Sequence, residues 1–344
     1  MKLPLFHHVD QLVSRINLRS GSVGGRRAKR GSKPRLFSLR RKTRETPYDG
    51  WSLEGRNPKV IQSLLPLGEW LYRHYFRVTT DGWQHLPPSG KMLIVGSHNG
   101  GMIAPDTLMF MVDWFRRFGT ERLVYGLMHP NVWMVPGYSK LAVQFGAIRA
   151  HPHPAAEALR RNAAVLVYPG GAEDLWRPYK DRHRIHFAGR KGFIKLALRE
   201  GVPIVPAISL GAHETLIILA NLYPYLKKLH ERGMPWLFGI DPIVFPIYLG
   251  LPWGLAIGPL PNIPMPMKIH TRICAPIVFE RTGRAAANDR AYVDACYEYV
   301  KAQMQQELDR LVLGLEGLDS GGTPSILPNR EEWMSDGRMD IAGF

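Results

Sequence analysis

Cysteine is almost missing from this chain: Cys274 and Cys296 are the two in 344 residues. Both lie in apolar surroundings without metal-ligand spacing, so they are expected to be reduced packing residues. That excludes a disulfide framework and gives no sign of secretion. A Gly-x-Ser-x-Gly elbow is absent too, so the nucleophile turn of a serine hydrolase is lacking; PGYSK, residues 136–140, is not one. No internal repeat is found. Nor is there a clean membrane-crossing helix. The closest stretch, Pro242–Pro261, is long enough and uncharged, but five prolines and three glycines interrupt it. Two readings of it stay open. It is either a proline-rich buried connection against the core, or a segment dipping into a membrane interface with Trp236, Phe238, Trp253 and Met265 as anchors.

Acid is missing from one region in particular. Between Arg15 and Arg44 stand twelve Lys or Arg residues and no Asp or Glu, so most of the formal net charge of +16 lies in that arm. Rich in Ser and Gly and without apolar periodicity, residues 1–50 are expected to be a disordered basic arm. Anionic lipid headgroups, nucleic acid, an organelle-targeting role or a merely solubilising tail would each fit. The arm lacks interleaved aromatics, and no helix-turn-helix or zinc module follows, so no nucleic-acid partner is expected.

What is present is an alternation of strand and helix patterns over residues 51–316, followed by a tail, 317–344, expected to be loosely ordered. PKVIQSLLPLGEWLYRHYFRV, residues 58–78, reads as an amphipathic helix kinked or delayed by Pro66. Strands are expected at 92–96, 122–128, 164–169 and 202–210. Helices are expected after Pro105 and over 154–161, 189–201 and 288–315. With 45% hydrophobic residues, this alternation implies an α/β domain with a mainly parallel central sheet flanked by helices.

Two glycine turns carry the chemistry. In MLIVGSHNGGMIAPD, residues 92–106, an apolar strand delivers His98 to the carboxyl end of a parallel sheet, where ligands bind in such folds. Gly100 and Gly101, with Asn99 beside them, are expected to leave room for a bulky substrate and amides for an oxyanion. Asp106 is the natural orienting carboxylate for a general-base histidine. In VLVYPGGAEDLWRP, residues 165–178, Gly170 and Gly171 precede Glu173, Asp174 and Arg177. Arg190 and Lys191 then open a helix whose N-terminus suits an anionic group. A metal site drawn from His151, His153, His183 and His186 is the weaker alternative, HPHP reading as a surface loop.

The order of blocks resembles the glycerolipid acyltransferase superfamily, which includes the lysophosphatidate acyltransferases. SHNGGMIAPD stands for its His-x-x-x-x-Asp block, FGAIRAHP for its second block, VYPGGAED for Phe-Pro-Glu-Gly, and VPIVPAIS for Val-Pro-Ile-Val-Pro. The resemblance covers roughly residues 60–220, with the core at about 85–215, and implies a glycerol-3-phosphate/lysophospholipid acyltransferase-like fold. Two departures stand out. Asp106 lies eight residues after His98 rather than five, so the glycines have to loop out to return it. The family's third-block glutamate and arginine align with Gly170 and Glu173. The Pro-Gly-Gly version is similar to the diacylglycerol acyltransferase and phytyl-ester-synthase branches, whose acceptors are neutral alcohols. Arg149, Arg177, Arg190 and Lys191 are left as possible phosphate contacts.

The resemblance implies transfer of a fatty acyl group from an acyl thioester, acyl-CoA or acyl carrier protein, to a hydroxyl of a glycerolipid or lysophospholipid. His98 would act as base, oriented by Asp106, with no cofactor or metal. An anionic membrane surface on the cytoplasmic face would be the place of work. The alternatives are acylation of a neutral alcohol (diacylglycerol or a long-chain alcohol), or a non-catalytic basic protein that binds membrane or nucleic acid.

Overall fold

In a computed structural model, residues 48–314 are described, apart from 131, 132, 134–136, 237, 238 and 240. The basic arm up to residue 47, the tail after 314 and the anchor Phe238 lie outside the described residues.

The chain enters through α1 (Pro58–Trp70), capped by Asn57, whose side chain accepts from the amides of Lys59 and Val60. Pro66 lies inside this helix without delaying it, since α1 starts eight residues earlier; a π-helical turn, Leu71–Tyr75, ends it. Then follow β1 (Thr79–Asp81), β2 (Met92–Gly96), α2 (Pro105–Phe118), β3 (Val124–Met128), α3 (Tyr138–Gln144) and β4 (Ala147–Arg149). After them come α4 (Pro152–Arg160), β5 (Ala164–Val167), α5 (Gly171–Leu175), α6 (Gly192–Glu200) and β6 (Ile204–Leu210). The last third holds β7 (Ile217–Asn221), α7 (Tyr223–Glu231), β8 (Pro246–Gly250), β9 (Gly254–Ile257), β10 (His270–Ile273), α8 (Gly283–Asn288) and α9 (Arg290–Val312).

Seven strands form one sheet in the order β1-β10-β6-β2-β5-β3-β4, and β6, β2, β5, β3 and β4 run parallel. This is the mainly parallel sheet the alternation predicts. Strand β2 is buried at every position because helices cover both faces. Leu93 and Val95 pack with residues of α4, α6 and α9, while Met92 and Ile94 pack with residues of α1 and α2. Each such side chain contributes about 1.5–3 kcal/mol by leaving water.

The connection from β2 runs to β3 across β5, and the connection from β5 runs to β6 across β2. The carboxyl ends of β2 and β5 therefore flank a topological switch point, where a crevice opens because the two chains depart in opposite directions. Both glycine turns emerge there.

Pro242–Pro261 is neither a broken helix nor a buried connection. It supplies the hairpin β8–β9, which joins β7 in a second, antiparallel sheet of order β7-β8-β9. Its periodicity of two is hidden in the sequence because apolar residues occupy both faces. HPHP is likewise not a loop: His151 caps α4, its Nδ1 accepting from the amide of His153 at 3.2 Å. Cys274 and Cys296 are buried and unpaired.

Candidate active site

His98 leaves β2 with its side chain 17% exposed, and its Nδ1 lies 3.2 Å from Oδ2 of Asp106, which is wholly buried. The eight-residue separation closes through two left-handed glycines, Gly100 (φ 87°) and Gly101 (φ 71°), and a single turn, Gly101–Ile103, that leads into α2. The carboxylate also accepts from the amides of Asn99 (2.9 Å) and Thr107 (2.7 Å) and from Thr107 Oγ1 (3.3 Å). With Nδ1 turned to Asp106, the imidazole's Nε2 is the nitrogen left for a substrate.

The glycines do not clear a path for substrate. A Cβ on Gly100 would stand 2.6 Å from Pro105 Cδ and 2.7 Å from Thr215 Oγ1; one on Gly101 would stand 2.5 Å from Leu216 Cδ2. Protein fills the space, and the tight return of the chain is what requires glycine. On the other side, the ring of Tyr168 stacks on His98 with centroids 4.4 Å apart and planes inclined by 22°. Gly96 makes room for it, since a Cβ there would meet that ring at 2.4 Å. Burial, and then the Asp106 carboxylate, push the Tyr168 phenol well up, so it stays protonated.

Behind this pair stands a buried polar frame. Asp174, wholly buried, accepts from the His98 amide at 2.5 Å and from Ser97 Oγ at 3.2 Å, and pairs with Arg177. Arg177 donates on to Asn99 Oδ1 (2.9 Å) and to the carbonyls of Asp181 (2.9 Å) and Arg182 (3.2 Å). Burial lowers its pKa to about 10, which leaves it charged at neutral pH. His213 meets the same Asn99 oxygen through Nδ1 at 3.2 Å. Burial first, then the Arg177 charge, push its pKa down to about 3, so it is a neutral donor; its Nε2 is buried without a hydrogen-bond partner among the described residues.

Asn99 is therefore not a substrate contact. Its side chain is buried and holds Arg177, His213 and the Ser97 carbonyl. Gly170 is required for packing, because a Cβ there would meet the His186 carbonyl at 2.1 Å; Gly171 (φ 54°) donates its amide to the Tyr168 carbonyl at 3.2 Å. Glu173 and Arg190 pair with each other at 2.6 Å, both half-exposed, and Arg190 also reaches the Gly170 carbonyl. Lys191 turns instead to Asp294 of α9, at 2.8 Å. Arg149 ends β4, three strands and about 15 Å from β2. There its Nε donates to the Asp49 carbonyl and its guanidinium lies over Trp51.

A separate cleft of about 850 Å³ is lined by Arg177, Asp181, His183, His186, Lys301 and Asp309 together with Ile185 and Ile243, and His98 does not line it. Sequence reasoning missed Tyr168, Thr107 and His213 as members of the site. Asp174 and Arg177 had a signal in their place just after the second glycine turn, Asp174 within α5 and Arg177 two residues past its end.

An uncharacterised protein of Mycobacterium tuberculosis is 29% identical over 272 residues, 78% of this chain and 71% of that one. Human 2-acylglycerol O-acyltransferase 3 is 24% identical over 221 residues, 58% of this chain and 62% of its own. The bovine DGAT1/2-independent enzyme synthesizing storage lipids is 28% identical over 174 residues, half of each chain. Among solved structures, the 1-acyl-sn-glycerophosphate acyltransferase PlsC of Thermotoga maritima matches with a TM-score of 0.45 and 15% identity, over 74% of this chain and 80% of that one. The family model described as diacylglycerol acyltransferase matches residues 69–307, so the chain belongs to that family and is a glycerolipid acyltransferase.

Proposed function

We propose that the chain moves a fatty acyl group from an acyl thioester, acyl-CoA or acyl carrier protein, to the hydroxyl of a neutral acylglycerol at a membrane surface. His98 Nε2 takes the proton of the acceptor hydroxyl while the oxygen bonds to the thioester carbonyl carbon. The C–S bond then breaks, and the imidazolium returns the proton to the leaving thiolate, so an ester and a free thiol result. Asp106 holds the Nδ1 proton and the ring's orientation. The amides of His98, Asn99 and Met102 are engaged by Asp174, Asp106 and Asn262. In this scheme, backbone amides near Gly100 or Gly170 would stabilise the tetrahedral oxyanion. No metal or cofactor takes part in this scheme.

One observation carries the choice of a neutral acceptor: each of the four cations considered for a phosphate already has a partner. Arg149 holds Asp49, Arg177 holds Asp174, Arg190 holds Glu173 and Lys191 holds Asp294. A phosphomonoester would have to displace one of these carboxylates or carbonyls. The name of the human relative, an acyltransferase of 2-acylglycerol, agrees with this choice. So does the Pro169-Gly170-Gly171 turn in place of Pro-Glu-Gly.

The test is transfer from radiolabelled acyl-CoA and acyl carrier protein to a panel of monoacylglycerol, diacylglycerol, long-chain alcohol and lysophosphatidate. Labelling of neutral acylglycerols is expected. Labelling of lysophosphatidate alone would overturn the acceptor, and a folded, fully active His98→Ala protein would overturn the mechanism.

A further inference from the structure

The three-stranded sheet has two apolar faces and covers one of them. Ile218, Tyr248 and Ala256 point inward and are buried against Trp176 and Leu216. The pairings Ile217↔Leu249↔Leu255 and Ile247↔Ile257 place five aliphatic side chains on the opposite face. Leu249 is 45%, Leu255 66% and Ile257 56% exposed. An antiparallel sheet with one solvated face ordinarily carries polar side chains there; this one carries none at those positions.

The apolar surface continues to the site. Leu251 pairs with Ile263, both exposed, and the next residue back, Asn262, accepts the amide of Met102 at 3.2 Å. Met102 and Ile103, in the turn that follows His98, are themselves exposed. Helix α7, which follows β7 directly, has no buried residue and presents Tyr225 and Leu229 to solvent.

We propose that this face seats on a lipid surface, with the hairpin β8–β9 dipping to the acyl-chain boundary and the turn after His98 at headgroup level. The proposal rests on the lipid-substrate reading above and names the surface through which that substrate arrives. Lipid fits better than protein because residues 242–267 contain no charged side chain, so the polar rim of a protein interface is lacking there. Lys227, Lys228 and Arg232, against Glu231, suit anionic headgroups. The same charges oppose coverage by the chain's own basic arm. Trp253 at the hairpin tip has its Nε1 satisfied by the Pro261 carbonyl at 2.6 Å, so the indole enters without an orphaned donor. A depth of about 5–10 Å keeps the free edge of β9 within reach of water.

Flotation of the full chain with phosphatidylcholine vesicles in about 0.5 M salt, which screens the arm's charges, tests this. Wild-type protein is expected to float. The Leu255→Glu/Ile257→Glu protein is expected to bind at least about tenfold more weakly. Its thermal melt and its transfer to a water-soluble short-chain acylglycerol should be unchanged. Independently, brominated-chain lipid should quench wild-type fluorescence more than that of Trp253→Phe. The proposal is overturned if the double variant floats like wild type. It is also overturned if light scattering shows a wild-type dimer that the double variant dissolves while vesicle binding persists. The chemistry fails separately: a His98→Ala protein that floats and stays active would end the catalytic reading and leave the docking face standing.

Discussion

The two sheets treat apolar side chains in opposite ways. In the seven-stranded sheet, β2 is covered on both faces, and the polar atoms at its carboxyl end are held in a network from Asp106 through Asn99 to Arg177 and Asp174. In the three-stranded sheet one face packs on Trp176 and Leu216 and the other meets solvent with aliphatic residues. A covered sheet fixes geometry, which acid–base chemistry requires. An uncovered apolar face fixes nothing by itself; it is free energy still to be gained from a partner.

That contrast can be broken or sharpened by substitution. The largest effect is expected for His98→Ala, a fall in kcat/KM of about 10³ or more, measured by acyl transfer alongside a circular-dichroism melt that stays put. In the covered sheet, Ile94→Ala should cost about 2–5 kcal/mol by urea denaturation, because neighbours on α1 and α2 cannot close the cavity. Asp174→Asn removes the charge that holds the His98 amide and Arg177. It should lower kcat roughly 10- to 100-fold with little change in KM, since a misplaced base loses reactivity before binding. A KM change alone would move Asp174 out of the positioning frame.

A pH series reads the same frame. From pH 6.5 down to about 3 the unfolded chain protonates His213 while the folded chain does not. Stability therefore falls with falling pH, by up to ~1.4 kcal/mol per unit from this group. His183 and His186, also pushed down by burial, act in the same direction. Urea midpoints of wild type and His213→Gln at pH 7, 6 and 5 should diverge, the variant losing less on acidification. The smallest effect belongs to the uncovered face: Leu255→Ala is expected to change stability in solution by less than about 0.5 kcal/mol. A loss like that of Ile94→Ala would mean the face is packed after all.

Much of the large sheet was legible because its strands are continuous apolar runs bounded by Gly and Pro, and β2 stands at 92–96 as its pattern implies. The small sheet was not. With apolar side chains on both faces, alternation carries no contrast, and its prolines argue for a connection rather than a strand. At the site, His98 and Asp106 were named from turn and spacing. Tyr168 was not, because a tyrosine ending an apolar strand gives no sign that the strand beside it presents a histidine.

By itself the sequence determined that a mainly parallel sheet carries His98 and the second glycine turn at strand ends, since apolar period and glycine position are local properties of the chain. Tertiary structure alone decided the partners. It brought Asn99 into the frame rather than to the substrate, turned Lys191 and Arg149 away, and left one face of a sheet bare. The physical reason is that a side chain's environment is set by elements distant in sequence. Hydrogen bonds and burial form across the sheet order β6-β2-β5, which no local pattern encodes.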